Sequence, residues 1–211
     1  MRVVSVNVGR PRTVSHQGRS VRTAIYKEPV AGSVHIGRLN LDGDKQADLR
    51  VHGGEDKAVY AYPSEHYAYW SEQLAREFPW GQFGENLSVE GLLEDDVCIG
   101  DVFRVGAARL EVTQPRTPCF KLAMKMQVDD FIERFGASLR VGFYLRVLEE
   151  GDVAAGAAVT REARGIGEVS VREAYRLRHG TAPDRSALQR ALSAPALAPG
   201  WRRAYEKRLK V

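Results

Sequence analysis

The sequence predicts a mainly β protein of the α+β class. An N-terminal part of short strands, closed into a barrel or sandwich, is followed by a small helical subdomain. Three observations predict this. Short β-branched runs punctuated by Gly, Asp and Pro recur as far as Leu148. Two amphipathic segments interrupt them. Beyond about Arg164 the β-branched residues thin out and helix-start signals take over.

The strand runs are Val3 to Val8, Val21 to Tyr26, Val97 to Val105, Leu110 to Thr113 and Phe143 to Leu148. The first helix starts near Pro63-Ser64 and extends to about Glu77, with Tyr67, Trp70 and Leu74 on one face. The second starts near Pro118-Cys119 and extends to about Phe135, carrying Leu122, Met126 and Phe131. In the tail, Ser170-Val171-Arg172-Glu173 is a capping box for a helix through about His179. Asp184 caps a second helix with Leu188 and Leu192, and a third carries Trp201, Tyr205 and Leu209. This divides the chain into residues 1–163 and a helical subdomain of 164–211.

Composition narrows the function. The 211 residues carry a formal charge of +4 with arginines spread along the chain, which suits an anionic small ligand at least as well as nucleic acid; a dedicated nucleic-acid binder usually concentrates its charge on one element, so no nucleic acid polymer is expected as partner. The apolar fraction of 44% is enough for a full core. No apolar run approaches the roughly 18 residues that cross a bilayer, and Arg2-Val3-Val4-Ser5-Val6 reads as a strand rather than a signal segment. A cytoplasmic location, with reduced thiols, is expected. Two cysteines and five scattered histidines suggest neither a disulfide framework nor a zinc site. No P-loop or dinucleotide fingerprint is present.

Three constellations can carry chemistry. Cys119, in Pro115-Arg116-Thr117-Pro118-Cys119, stands where a helix begins, with Arg116 and Lys121 nearby. Positive potential there favours a thiolate, which can serve as nucleophile or as ligand to a thiophilic metal; the alternative is a buried structural cysteine. Cys98, inside Val97-Cys98-Ile99, reads as core filling. The second constellation runs from Asp42 through His52-Gly53-Gly54 to Asp56-Lys57. Its Gly-Gly pair can bring backbone amides to an anion, with Lys57 and His52 adding charge and donors, or it can be an ordinary hairpin turn. The third is Phe83-Gly84-Glu85-Asn86-Leu87, whose Glu85 and Asn86 can read a heterocycle edge or simply form a polar turn.

Taken in order, these runs resemble the MOSC domain, related to the C-terminal domain of molybdenum-cofactor sulfurases, and within it the bacterial YiiM-like branch. The resemblance rests on Gly43-Asp44-Lys45-Gln46-Ala47-Asp48-Leu49, Val51-His52-Gly53-Gly54, Asp56-Lys57-Ala58-Val59-Tyr60, Phe83-Gly84-Glu85-Asn86-Leu87, Ile99-Gly100-Asp101 and Gln114 through Leu122. The tail, with Leu197-Ala198-Pro199-Gly200-Trp201, is similar to the three-helix domain of that branch. Arg140-Val141-Gly142-Phe143-Tyr144 and Gly156-Ala157 depart slightly from the family pattern.

The resemblance implies a closed or partly closed β-barrel of the MOSC type that binds a molybdenum cofactor (molybdopterin with molybdenum), Cys119 being the metal ligand. His52, Gly53, Gly54, Lys57, Gly84, Glu85, Asn86 and Arg116 would surround the cofactor, and His52 or Asp56 would supply protons. Pyridoxal phosphate is not expected. The implied reaction is reduction of a small N-hydroxylated substrate from N–OH to N–H; the alternative is a carrier of cofactor or sulfur without turnover. The sequence shows no flavin or iron–sulfur signature, so the reductase needs an external electron-transfer partner carrying one. Arg202, Arg203, Lys207, Arg208 and Lys210 form a basic end that could dock it or simply be solvated.

Overall fold

The computed structural model describes residues 1–48, 53–182 and 184–210. Strand β1 (Arg2–Val8) buries Val3 and Val6. A detached hairpin follows, β2 (Arg12–His16) with β3 (Arg19–Thr23). Its two-residue turn, Gln17-Gly18, has positive φ at both positions (49° and 73°), the geometry whose twist matches paired strands. Short strands β4 (Glu28–Pro29) and β5 (Val34–Ile36) and a 3-10 turn (Glu55–Lys57) lead to β6 (Val59–Pro63). Every residue of β6 is buried, as in a strand covered on both faces. Helix α1 (Glu65–Leu74) then crosses over to β7 (Leu87–Glu90), which pairs parallel to β6; a parallel pair requires such a crossover.

The remaining strands are β8 (Val102–Val105), β9 (Ala108–Pro115), β10 (Phe143–Glu149), β11 (Gly151–Val153) and β12 (Val159–Ala163). Helices α2 (Phe120–Met126) and α3 (Phe131–Ser138) lie between β9 and β10. An eight-stranded sheet runs β12-β8-β9-β10-β6-β7-β1-β4, antiparallel apart from the β6–β7 pair. Just ahead of β12 the chain reaches β1 through a single bridge, Arg2 with Ala158. The described residues thus form a large, mostly antiparallel sheet, whereas the sequence reading expects a barrel.

Several expected elements differ. The single helix expected from Pro118 to Phe135 is two. Gln127 turns left-handed (φ 55°), and Val128-Asp129-Asp130 follows, a β-branched residue and two aspartates that favour turns over helix interior. The strand expected from Val97 begins only at Val102. The Asp101 carboxylate accepts the amides of Cys98 (3.0 Å) and Gly165 (2.9 Å), folding residues 97–101 into a turn. The strand expected through Tyr26 ends at Thr23, whose Oγ1 accepts the Ile25 amide at 3.2 Å. Cys98 is buried, as a core filler should be.

Within the core, aromatic rings pack together from Tyr62 of β6, Trp70 of α1, Phe83, and Phe131 and Phe135 of α3, all at most 1% exposed. Each such ring contributes about 1.5–3 kcal/mol through burial. Trp70 Nε1 donates to Tyr62 Oη at 2.8 Å, so the two polar atoms satisfy one another.

The tail folds as the capping signals indicate. Helix α4 (Val171–His179) starts where Ser170 Oγ accepts the Glu173 amide at 3.1 Å. Helix α5 (Arg185–Ser193) starts where Asp184 Oδ1 accepts the Ala187 amide at 3.0 Å. Helix α6 (Pro199–Leu209) has proline in its first turn and buries Trp201 and Tyr205. Backbone bonds from Ile99 to Val169 and from Ala198 to Thr113 tie the tail to the sheet. Among the described residues, no helix is long and apolar enough to cross a membrane.

Candidate functional site

A cleft of about 620 Å³, including its open mouth, lies over the sheet. Its floor is formed by Tyr60 of β6 and Tyr144 of β10, which face each other in register with ring centroids 5.2 Å apart. Cys119 and Lys121 come from the start of α2, and Arg116 from the end of β9. The lining continues with Thr23, Ala24, Ile25 and Lys27 at the end of the hairpin, Asp44 to Asp48, and Lys57. Gly84 and Asn86 complete the lining. Gly84 has φ 79°, and a Cβ there would stand 2.8 Å from the Ile25 side chain, so a larger residue would push into the wall.

Cys119 is half-buried and caps α2 with extended backbone; its carbonyl accepts the Leu122 amide at 2.9 Å. Because α2 has only seven residues, the lysines and Arg116 are the larger source of positive potential at the sulfur. Arg116 is buried, donates to the Phe83 carbonyl, and holds its guanidinium 4.6 Å from the Tyr60 ring centroid.

Beneath the lining is a buried polar network. Lys27 Nζ meets Asp44 Oδ2 at 2.5 Å, and Asp44 Oδ1 accepts the Gly9 amide at 2.8 Å. Asn86 Nδ2 donates to Asp44 Oδ2 at 2.9 Å, while Asn86 Oδ1 accepts the Tyr60 amide at 3.1 Å. Lys125 donates to the carbonyls of Ile25 (3.1 Å) and Gly81 (2.7 Å). Burial lowers the pKa of Lys27 despite its Asp44 partner. Burial also brings Lys125 down to about 8, with Arg116 and Lys27 working in the same direction. Lys57 is lowered by burial and by Arg178. Tyr60 and Tyr144 are raised by burial, so both phenols stay protonated near neutrality.

Of the residues singled out in the sequence, Cys119, Arg116, Lys57, Gly84 and Asn86 share this cleft. His52 lies outside the described residues. Gly53, Gly54, Glu85 and Asp56 are described and do not line it. Glu85 follows Gly84 in chain that is becoming a strand, and its side chain goes to the opposite side. There Oε1 accepts Tyr67 Oη, the Gly81 amide (3.0 Å) and Ser88 Oγ (2.8 Å), while Oε2 is buried with no hydrogen-bond partner among the described residues. The carboxylate of Asp56 instead holds Arg146 at 2.5 Å.

Lys121, named in the sequence beside Cys119, also lines the cleft, whereas sequence reasoning did not single out Lys27, Tyr60 or Tyr144. Tyr60 and Tyr144 become neighbours only through the pairing of β6 with β10. Lys27 carries no local signal.

The profile of the MOSC domain matches residues 48–160, and that of the YiiM-like 3-alpha helix domain matches 169–210. The chain belongs to the MOSC domain family. YflK of Bacillus subtilis (strain 168) is 45% identical to this MOSC protein over 206 residues, 98% of this chain and 93% of that one. A reductase of Gibberella moniliformis (strain M3125 / FGSC 7600) is 32% identical over 164 residues, 76% of this chain and 29% of that longer protein. The crystal structure of YiiM from Geobacillus stearothermophilus superposes with a TM-score of 0.83 at 40% identity, covering 99% of this chain and 98% of that one.

MOSC domains are associated with molybdenum cofactor binding, and the cleft can be tested against that group. The cofactor is an anionic, phosphate-bearing pterin dithiolene whose metal accepts soft ligands. Lys27, Lys45, Lys57, Arg116 and Lys121 outnumber Asp44 and Asp48 in the lining, and a half-buried sulfur stands in its wall. The donor set fits the group.

Proposed function

We propose that this MOSC protein binds a molybdenum cofactor in the cleft and reduces N-hydroxylated compounds. The observation that carries the reading is Cys119, half-buried in the wall of a cation-lined cleft. The name of the longer fungal relative supports a redox role. The sheet and its single Arg2–Ala158 bridge fit the barrel that this family resemblance implies.

In the reaction the substrate N–O bond breaks. Two electrons and two protons convert R–NH–OH into R–NH2 and water. The bound cofactor would supply the two-electron exchange. The chain would supply the rest. Cys119 Sγ would ligate the metal, and Lys57, Lys121 and Arg116 would hold the anionic groups. Tyr144 could offer the substrate a hydrogen bond from its hydroxyl without losing a proton, whereas the Tyr60 hydroxyl donates to the Val141 carbonyl at 2.8 Å. Lys57 Nζ, its pKa lowered by burial, would release a proton more readily than an ordinary lysine and regain it through the open mouth.

The test is metal analysis and turnover of 6-hydroxylaminopurine after expression in a host that makes the cofactor. We expect molybdenum bound to the wild-type chain, and reduction given an electron source. Cys119→Ala should lose more than the roughly 10–100-fold that removing a supporting contact costs a metal site. A folded Cys119→Ala protein that keeps metal and activity refutes the reading. A loaded wild-type protein without turnover that activates an apo-molybdoenzyme would assign it a carrier role.

A further inference from the structure

We propose that the face made by the β2–β3 hairpin and helix α2 docks an acidic electron carrier protein bearing flavin or iron–sulfur. The proposal rests on the reductase reading, which needs an electron pair delivered to the Cys119 cleft from outside this chain. Electron transfer slows steeply with distance, so a donor must dock at the lip of that cleft.

The geometry points to one side of the lip. Phe120 directly follows Cys119 and is 51% exposed. With Ala123 and Met124 of α2 it borders an open groove whose other wall is His16, Arg19 and Val21 of the hairpin. Thr23, the last residue of β3, lines the Cys119 cleft itself. Groove and cleft therefore share two elements, the hairpin and α2.

Charge sets the kind of partner. From Arg10 to Thr23 the chain carries Arg10, Arg12, Arg19 and Arg22, all exposed, and no Asp or Glu. Among the described residues Arg10, Arg19 and Arg22 form no ion pair, while Arg12 stacks 3.8 Å over the Tyr26 ring. Asp129, after α2, is the acid that lines the groove. An exposed aromatic side chain beside arginines is the composition that anchors protein interfaces.

The basic C-terminal end is less suited. Arg202 donates to the carbonyls of Leu192 and Ala194, both at 2.7 Å, and Arg208 to those of Arg178 (3.1 Å) and Gly180 (2.6 Å). Those guanidinium groups cap helices of the tail.

The test uses the full, cofactor-loaded chain with two electron sources. Reduced methyl viologen is small and needs no docking face; purified, chemically reduced flavodoxin is an acidic carrier. We expect both to support turnover by the wild type. The flavodoxin rate should fall as salt rises. Arg19→Glu with Arg22→Glu should lower it about 10-fold or more at low ionic strength and leave the viologen rate unchanged. Arg19→Gln with Arg22→Gln, less disruptive to the hairpin, should give a smaller loss in the same direction. Equal flavodoxin rates in wild type and both variants overturn the proposal. So does a wild type that turns over with viologen alone, or a viologen rate lost together with the flavodoxin rate. Arginine-dependent binding of single-stranded RNA without flavodoxin-driven turnover would assign the face to nucleic acid instead. A loaded wild type that turns over with neither donor refutes the reductase reading, and the docking face with it.

Discussion

The helix starts of the tail and the floor of the cleft are held in opposite ways. Although Tyr205 and Arg208 of α6 reach back 31 and 30 residues to the carbonyls of Ala174 and Arg178, the contacts that start α4 and α5 are local. Ser170 caps Glu173 and Asp184 caps Ala187, each three residues along the chain, and the apolar residues lie on regular stripes. Under the cleft the polar contacts are long-range. Lys27 reaches Asp44 across 17 residues, Asn86 reaches Asp44 across 42, and Arg116 reaches Phe83 across 33. Local capping can be lost a residue at a time. A buried charge network responds as a unit, because removing one member strands another in a medium that solvates it poorly.

That contrast can be broken most readily at Asp44. Asp44→Ala leaves Lys27 buried without its partner and should destabilise the protein by about 3–5 kcal/mol in urea unfolding. Lys27→Met with Asp44→Leu removes both charges but leaves the Gly9 amide and Asn86 Nδ2 without their acceptor, so it should recover part of that loss while still weakening cofactor retention. A single substitution costing under about 1 kcal/mol would show that the network is not coupled.

Lys125 gives a second, smaller test. Its pKa in the folded protein is about 8, lowered by burial from 10.5. Between those values the unfolded chain still binds a proton that the folded chain has released, so Lys125 makes stability rise with pH across that window. The stability difference, wild type minus Lys125→Met, should grow by about 1–3 kcal/mol from pH 8 to 10.5. A difference that stays flat over this range would place Lys125 in contact with solvent.

The smallest effect is expected in the tail. Ser170→Ala removes one cap and should cost about 1 kcal/mol, with metal loading per folded chain unchanged. Loss of metal at that modest cost would mean that the tail shapes the cleft directly. The raised tyrosines and lowered lysines give no reason to expect this, although Arg178 of α4 does act on Lys57.

How much was legible follows the same division. The helix starts at Ser170 and Asp184 could be read because each cap and its target lie within one turn. Cys119, Arg116, Lys57, Gly84 and Asn86 could be found as residues, and they do meet in one cleft. Their orientations could not be read. Glu85 turns inward to three donors, and Asp56 turns to Arg146; in each case the deciding partner comes from another element. The break at Gln127 was missed because Leu122, Met126 and Phe131 suit one helix or two.

By itself the sequence determined the strand-rich body, the three helices of the tail, two of them started by side-chain caps, and the residue types of a site suited to an anionic group with a soft metal. These follow from periodicity, capping and side-chain chemistry, which act over a few residues. Tertiary structure alone decided that Tyr60 and Tyr144 would floor the cleft, that Lys27 and Asp44 would be buried together beneath it, and that an arginine hairpin would stand beside Cys119. Those placements depend on strand register and on chain segments meeting across long separations, and no local pattern encodes them.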